Sequence, residues 1–226
     1  MEVYIKKAGY TPNQKSIEQI EFSMHPGTII GLIGGNGAGK STTIQSMLGV
    51  IPYFEGTITI PSYGYVPERP LLYEHFTLRE HLQFLIDEYN DKTLWDKANQ
   101  LLTLFQIDQR LDDLPIYFSK GMQQKVMLVL AFLIDRPLYI LDEPFMGLDP
   151  RAIRELLVLI DERKQQGASF LLCTHQLEMA EIICDHYILL HEGNIQAKGT
   201  LAELQQMVGQ PISLLDIFYE LQGRLQ

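Results

Sequence analysis

The sequence predicts an α/β fold with a mainly parallel sheet. Three observations favour this class: strand-like apolar segments alternate with helical segments, a glycine-rich motif stands between a strand and a helix, and a block of helical periodicity interrupts the alternation. Parallel strands need crossover connections, so alternating strands and helices are typical of such sheets. We therefore predict a single domain over residues 1–226, with a helical subdomain inserted at approximately 77–135.

Short strands are predicted in the N-terminal part of the chain. β-branched and aromatic residues are concentrated in three segments, Val3–Ile5, Ile17–Phe22 and Thr28–Ile33. The third segment is continuously apolar, as expected of a strand that is covered on both faces. A helix is then predicted from Gly39 to about Leu48, followed by strands at Gly56–Ile60 and Tyr63–Val66.

Helical periodicity fills the middle of the chain. Thr77 and Glu80 have the spacing of a capping box, in which each side chain bonds to the other residue's backbone N–H at a helix start. Three stripes of apolar residues then recur at helical spacing. The stripes are Leu78, Leu82, Leu85, Ile86 and Tyr89; Leu94, Ala98, Leu101, Leu102 and Phe105; and, from a helix start near Ser119, Met122, Val126, Val129, Leu130 and Leu133. We interpret them as packing faces, because such residues are usually buried.

The alternation of strands and helices returns after Pro137. The predicted strands are Leu138–Leu141, Ser169–Thr174 and Tyr187–Leu190, and the predicted helices run from Pro150 to about Gln166 and from about Gln176 to Cys184. After the last strand we expect only a short tail.

Composition disfavours several classes of protein. Lys and Arg total 18 against 28 for Asp and Glu, a net charge of −10 without a basic stripe, so we expect no nucleic-acid partner. Two cysteines, Cys173 and Cys184, are too few for a disulfide framework or a zinc site and indicate a reducing, cytosolic compartment. The longest apolar run, Val126–Ile134, is about half of what a membrane-spanning helix needs. Lys6 and Lys7 interrupt the segment where a secretory leader would be apolar, so we expect a soluble chain without one.

A phosphate-binding motif lies between the third predicted strand and the helix that follows it. Residues 34–41 match G-x-x-x-x-G-K-[ST], whose glycines let main-chain N–H groups converge on phosphate oxygens at a helix N-terminus. Lys40 is expected to neutralise the β and γ phosphates, and the Ser41 hydroxyl to ligate Mg²⁺. The alternative, a glycine-rich turn that binds nothing, is disfavoured by this register. The predicted nucleotide-binding residues are Gly34, Gly35, Asn36, Gly37, Ala38, Gly39, Lys40, Ser41 and Thr42.

Two adjacent acids follow the apolar strand predicted at Leu138–Leu141. Asp142 is expected to hold Mg²⁺ through water, and Glu143 to orient and deprotonate the water that attacks the phosphate. Adjacent acids at a strand end are often only solvated. The phosphate motif about 100 residues upstream favours the catalytic interpretation.

Four further motifs accompany these two. They are Phe118–Met122, whose Ser119 lies 23 residues before Asp142; Met146–Asp149, directly after the acidic motif; Thr174 and His175, at the end of a predicted strand; and Tyr10, thirty residues before Lys40. In this order they resemble the signature loop, D-loop, switch histidine and adenine-stacking aromatic of the ATP-binding-cassette (ABC) ATPases, and the resemblance covers essentially the whole chain. It implies a P-loop NTPase fold of ABC ATPase type, with a RecA-like core, an N-terminal antiparallel β part and an inserted helical subdomain.

The resemblance also implies roles for these residues. Ser119 and the Gly121 N–H would reach the γ-phosphate held by another subunit, so the active form would be a head-to-tail dimer with ATP at two interfaces. Asp149 would be a further nucleotide contact, and Tyr10 would stack on adenine. His175 would report the presence of the γ-phosphate or its attacking water.

Three features depart from the family pattern. Lys120 and Met122 replace Gly and Gln in the signature loop, which adds a positive charge where the γ-phosphate arrives and removes an amide. Glu68 stands where most members have the Q-loop glutamine; its carboxylate can still ligate Mg²⁺, but it adds negative charge beside the two acids. The segment between the strands at 57–60 and 63–66 is shorter than usual, which suggests a shortened β-arm near the adenine.

The combination of motifs looks most like the bacterial Ecs-type exporter ATPases, and residues Ser213–Phe218 are similar to tails of that wider group. The resemblance implies an ATP-hydrolysing subunit that pairs with a second copy of itself or a similar ATPase and drives a separate polytopic membrane permease. The chain would then lie on the inner face of the cell membrane through that permease. The segment Leu71–Phe76 is expected to dock on the permease, because Leu72, Tyr73, His75 and Phe76 supply apolar and aromatic anchors. Local packing is an equally good interpretation of any one of them.

Two alternative functions remain at this point. A soluble ABC ATPase of DNA repair or translation is disfavoured by the net charge and by the lack of a coiled-coil insertion or a second cassette. A cassette with weak turnover is favoured by Glu68 and Met122. It is disfavoured by four intact residues, Lys40, Asp142, Glu143 and His175.

Overall fold

The computed structural model describes residues 1–11 and 16–223. Within this part, the chain forms two sheets and eight α-helices. The strands are β1 (Glu2–Gly9), β2 (Ile17–Ser23), β3 (Ile29–Gly34), β4 (Tyr53–Thr59), β5 (Tyr63–Val66), β6 (Leu138–Asp142), β7 (Ser169–Cys173), β8 (His186–His191) and β9 (Asn194–Gly199). The helices are α1 (Lys40–Met47), α2 (Leu78–Tyr89), α3 (Leu94–Leu104), α4 (Lys120–Leu133), α5 (Pro150–Gln165), α6 (Leu177–Ile183), α7 (Leu201–Val208) and α8 (Leu214–Gly223).

The larger sheet is mainly parallel, as predicted. Its six strands follow the order β5-β6-β7-β3-β8-β9, and β9 alone runs antiparallel to its neighbour. Every residue of β3, β6 and β7 is buried, which explains their continuously apolar sequences. Alternate residues of β6 enter different cores: Tyr139 and Leu141 pack with α2–α5, whereas Leu138 and Ile140 pack with α1 and the smaller sheet.

The smaller sheet is antiparallel, with the order β2-β1-β4, which agrees with the expected N-terminal antiparallel part. The two strands around Pro61 and Ser62 do not pair with each other, since β4 belongs to this sheet and β5 is the edge of the larger one. β4 begins at Tyr53, earlier than the predicted start at Gly56. Gly56 lies inside the strand with φ 154°, and a side chain there would collide with the carbonyl oxygen of Tyr4.

The predicted helices are present between β5 and β6 as α2, α3 and α4. α2 starts with the predicted capping box: Thr77 accepts from the Glu80 N–H, and the Glu80 carboxylate accepts from the Thr77 N–H at 2.7 Å. Ser119 caps α4. The ring of Phe132 on α4 stacks on Tyr139 of β6 with 4.6 Å between centroids, so these helices share a core with the sheet. Of the helices within residues 1–11 and 16–223, none combines the length and apolar character that a membrane crossing requires.

The C-terminal part is larger than the predicted short tail, because β9, α7 and α8 follow β8. β9 is polar, and only Ala197 in it is buried, so it lacks the apolar pattern of a strand. α7 had a local signal, since Thr200 and Glu203 form a second capping box. α8 docks on α6, where the Glu181 carboxylate accepts from the Leu214 N–H at 2.7 Å. Such a contact between distant parts of the chain has no local signature.

Candidate functional site

A cavity of ≈ 1030 Å³ lies where β3, β6 and β7 end. These three strands are neighbours and parallel, so the segments that follow them meet at one edge of the sheet. The cavity is lined by Ser16, Gly35, Asn36, Gly37, Ala38, Gly39, Lys40, Ser41, Thr42, Glu68, Asp142, Glu143, Met146, His175 and Glu192. The fold thus brings together the phosphate motif, the two acids, Glu68 and the histidine, which the sequence predicted from separate motifs.

The phosphate motif forms a tight loop that only glycine permits at several positions. Gly37 and Gly39 have φ of 78° and 108°, which residues with side chains rarely adopt. A Cβ on Gly34, at the end of β3, would lie 2.7 Å from Ala38 Cβ and 2.8 Å from the Leu190 oxygen. The loop leads directly into α1, and the loop and the first residues of the helix line the cavity, so the positive end of the helix dipole lies at the cavity.

The turn between β8 and β9 is hydrogen-bonded to the phosphate loop and to the start of β2. The Gly193 N–H donates to the Ala38 oxygen at 3.0 Å, and the Gly193 oxygen accepts from the Glu18 N–H at 2.8 Å. Glu192 in the same turn and Ser16 before β2 line the cavity. Sequence reasoning missed these two residues. The signal in the sequence that could have indicated this turn was Gly193, because its φ of 79° is a conformation that favours glycine.

Lys40 lies over the phosphate loop. Its Nζ donates to the carbonyl oxygens of Gly34 at 2.7 Å and Gly35 at 3.2 Å. Both acceptors are neutral and belong to the loop itself. The ammonium charge is therefore available to an anion that enters the cavity.

Asp142 ends β6 and is buried, with 5% of its surface exposed. Burial raises the pKa of its carboxyl, and the nearby negative charges of Glu68 and Glu143 raise it further. Ser41 lines the same cavity, so hydroxyl and carboxylate oxygens face one space, and these are the ligands that Mg²⁺ prefers. In the described part of the chain, no group of three or more His, Cys, Asp or Glu side chains could hold a metal. The oxygen donors that Ser41 and Asp142 bring to the cavity are a set that fits Mg²⁺.

Glu143 is held by the last residue of β7 and by the two residues that follow this strand. Its backbone N–H donates to the Cys173 oxygen at 2.8 Å, and its own φ is +50°. Its carboxylate accepts from Thr174 Oγ1 at 3.1 Å and from the His175 N–H at 2.9 Å, and it lies 2.7 Å from His175 Nδ1. The Glu143 side chain is 7% exposed, whereas the His175 ring is 57% exposed. A largely exposed histidine ring therefore lies against an almost buried carboxylate.

Gly34, which ends β3, does not line this cavity, and four further predicted site residues lie outside it. The Tyr10 hydroxyl donates to Gln45 Oε1 on α1 at 2.7 Å, and Tyr10 is 51% exposed. Ser119 caps α4, Gly121 packs against the Gly147 backbone, and Asp149 caps α5 through the Ala152 N–H at 2.9 Å. None of the four lines the cavity of its own chain.

Comparison with known proteins identifies a family. The model of the ABC transporter family matches residues 17–146, which include the phosphate loop and both acids. The ABC-type transporter ATP-binding protein EcsA of Bacillus subtilis is 43% identical over 226 residues, covering 93% of this chain and 91% of the relative. The uncharacterized ABC transporter ATP-binding protein YthP of the same organism is 40% identical, covering 97% of this chain and 95% of the relative.

Comparison with solved structures supports the same assignment. A structure described as the ATP binding subunit of an ABC transporter superposes with a TM-score of 0.92 at 40% identity, covering 98% of this chain and 100% of the other. A dimeric cassette, MJ0796 bound to ADP and Pi, has a TM-score of 0.75 at 18% identity over 88% of this chain and 97% of its own, and it supports the fold alone. The predicted fold class and family are confirmed: the chain belongs to the ABC transporter family of ATP-binding proteins.

Proposed function

We propose that this chain is the ATP-hydrolysing subunit of an exporter and works as a head-to-tail dimer that drives a separate membrane permease. The observation that carries the proposal is the single cavity that joins the phosphate loop, Asp142, Glu143 and His175. The relatives' ATP-binding names support ATP as the ligand. We treat residues 1–226 as one cassette domain, with 77–135 as its helical subdomain. The direction of transport rests on the Ecs-like combination of motifs.

The phosphate loop would bind the nucleotide. The N–H groups of the loop other than that of Ala38, which donates to the Gly35 oxygen, would supply donors for the phosphates. The start of α1 would add the positive end of its dipole. Lys40 would turn from its two carbonyl acceptors to the β and γ phosphates. Ser41, Asp142 and Glu68 would hold Mg²⁺, which neutralises developing phosphate charge when bound. Glu68 adds a second carboxylate to this set, and its negative charge further favours a bound cation.

Glu143 is the proposed general base for the attacking water. In the structure, His175 Nδ1 lies 2.7 Å from its carboxylate and competes with water for it. Because the His175 ring is largely exposed, it can turn toward a γ-phosphate without disturbing the core. The arrival of the γ-phosphate would thereby free Glu143 for water.

A second copy would complete the site. Ser119, Gly121 and Asp149 lie outside the cavity of their own chain, and we propose that they face the nucleotide of the partner. Lys120 supports this arrangement, because it is the first residue of α4 and a positive charge is unfavourable at a helix N-terminus. An approaching phosphate would offset that cost. We also propose that Tyr10, exposed beside α1, stacks on adenine.

The proposed permease contact is an exposed aromatic cluster before and on α2. The ring of Tyr73 lies 5.0 Å from Phe76 and 5.9 Å from Phe84, and Tyr73 and Phe84 are both more than half exposed. The Tyr73 N–H donates to His81 Nε2 at 2.9 Å, which fixes the segment. Leu72, which was expected to be an anchor, packs on the core instead. Through this contact the chain would sit on the inner face of the membrane.

We expect the double variant Tyr73→Ala, Phe76→Ala to lose binding to the permease, because the two substitutions delete both rings from the exposed aromatic cluster. The measurement is recovery of a polytopic membrane protein with the tagged chain from solubilised membranes. Tyr219→Ala, at an equally exposed tyrosine on α8, is the matched control and should leave recovery unchanged. Undiminished recovery with the double variant would contradict the docking proposal.

The activity is tested by phosphate release from ATP by the purified chain. We expect release that depends on Mg²⁺ and stops when the metal is chelated. Release no faster than that of ATP in buffer would contradict the proposed function.

A further inference from the structure

The phosphate loop has acidic side chains on both of its sides. The carboxylates that line the nucleotide cavity are those of Glu68, Asp142, Glu143 and Glu192. The first three lie on one side of the loop, because they follow β5 and β6, and both strands lie on the same side of β3 in the sheet. Glu192 follows β8, which is the neighbour of β3 on the other side. The phosphate loop therefore separates Glu192 from the proposed metal site.

The Glu192 side chain is exposed and starts from a fixed backbone. Its φ is +45°, a conformation that few residues with a side chain adopt. The next residue, Gly193, hydrogen-bonds to Ala38 of the phosphate loop and to Glu18 of β2. Within residues 1–11 and 16–223, no ion pair or hydrogen bond joins the Glu192 carboxylate to another group. A carboxylate beside bound phosphates repels them, and a nearby cation removes this cost.

A lysine at the start of α4 also lacks a partner in the described part of its own chain. Lys120 is exposed and directly follows Ser119, the cap of the helix. Over the same residues, no ion pair or hydrogen bond joins its ammonium group to another group. A phosphate that approaches this helix start would meet backbone N–H groups there. The Lys120 ammonium, at the end of a flexible four-carbon side chain, can extend to a further acceptor.

We propose that Lys120 forms an ion pair with Glu192 of a second copy of this chain. The proposal rests on the proposed function, in which Ser119 and Gly121 face the nucleotide in the cavity of the second copy. Lys120 lies between these two residues in the sequence, so it reaches the same cavity. The carboxylates on the other side of the phosphate loop face the proposed metal site. Glu192 is the carboxylate of the cavity wall that the lysine can pair with.

The ion pair would favour the closed dimer over the free chains. Each chain has a net charge of −10, so two copies repel each other as they approach. A symmetric dimer forms every contact between its copies twice, so two such pairs would oppose this repulsion. Opposite charges across an interface also fix its register. Because the two groups belong to different chains, the pair would contribute nothing to the binding of ATP by one chain alone.

The first test measures ATP-driven dimerisation of Glu143→Gln by sedimentation. Adding Glu192→Gln should raise the dissociation constant of the dimer by at least about tenfold, because a close charge pair is lost twice. In a chain that already carries Lys120→Gln, the same substitution should change the constant by less than about twofold, since the pair no longer exists. Glu162→Gln, at an exposed glutamate near the end of α5, removes the same charge and should leave the constant unchanged.

The second test identifies the two side chains directly and leaves both of them unsubstituted. A carbodiimide joins a lysine amine to a carboxylate that is in contact with it. With ATP and Mg²⁺, the Glu143→Gln chain should give a cross-linked dimer, and its peptide map should contain Lys120 joined to Glu192. With ADP, we expect this cross-link to be absent.

Three results would each overturn the proposal while the dimer itself still forms. They are equal dimerisation of the Glu192→Gln and Glu162→Gln chains, a full tenfold loss from Glu192→Gln in the chain that carries Lys120→Gln, and a dimer in which the cross-link is missing. Weaker ATP binding by monomeric Glu192→Gln would also overturn it, because the glutamate would then serve the nucleotide of its own chain. A Glu143→Gln chain that stays monomeric with ATP would instead refute the head-to-tail dimer of the proposed function.

Discussion

Glu143→Gln is expected to lower ATP hydrolysis by about 10²–10⁴-fold, the usual contribution of a general base. Gln keeps the size of the side chain, and its carbonyl oxygen can still accept from the His175 N–H. Its amide group then takes the place of the carboxylate oxygen that bonds to Thr174, and it can donate to the Thr174 hydroxyl oxygen. It cannot take a proton from water, so binding should survive while turnover is lost. The measurement is phosphate release at saturating ATP, together with the affinity for ATP.

The control is Glu162→Gln, at an exposed glutamate near the end of α5, which should keep the wild-type rate. Wild-type hydrolysis by Glu143→Gln would remove Glu143 from the role of base. A loss of ATP affinity equal to the loss of rate would show instead that the substitution had damaged the nucleotide site.

Lys40→Ala is expected to have the second large effect, on nucleotide binding itself. Removing a charged donor from bound phosphates costs about 2–5 kcal/mol, which is about 30-fold to several thousandfold in affinity. The measurement is titration with a fluorescent ATP analogue. Within residues 1–11 and 16–223 the Lys40 ammonium donates to two carbonyl oxygens of its own loop, so the fold should tolerate the change.

Lys92→Ala, at an exposed position before α3, is the matched control for loss of a lysine. Its affinity for the analogue should equal that of the wild type. An unchanged affinity in Lys40→Ala would mean that the loop does not bind the phosphates as proposed.

Most of the strands and helices could be predicted because their signals are local. The buried parallel strands β3, β6 and β7 are continuously apolar, and α2 carries its own capping box at Thr77 and Glu80. The phosphate loop could be predicted for the same reason, since the positions that need glycine lie within one short segment. The sheet topology then brings the predicted acids and His175 to that loop.

What could not be predicted depends on contacts between distant segments. The turn at Gly193 supports the phosphate loop through a hydrogen bond to Ala38, and Glu181 bonds to the start of α8. In both contacts the two partners are far apart in the sequence. The contact between His175 and Glu143 is another case, because the motifs predict both residues and not their pairing. The ion pair between Lys125 on α4 and Asp149, which caps α5, joins two helices that β6 separates in the chain.

The most direct test of the central claim, that one chain holds half of a complete site, is the mass of Glu143→Gln in solution. By sedimentation in the presence of ATP and Mg²⁺, we expect the 25.9 kDa chain to double in mass and to return to one chain when ATP is replaced by ADP. Two results together would contradict the account. The Glu143→Gln chain would stay monomeric with ATP bound, and the hydrolysis rate of the wild type would remain proportional to protein concentration down to high dilution.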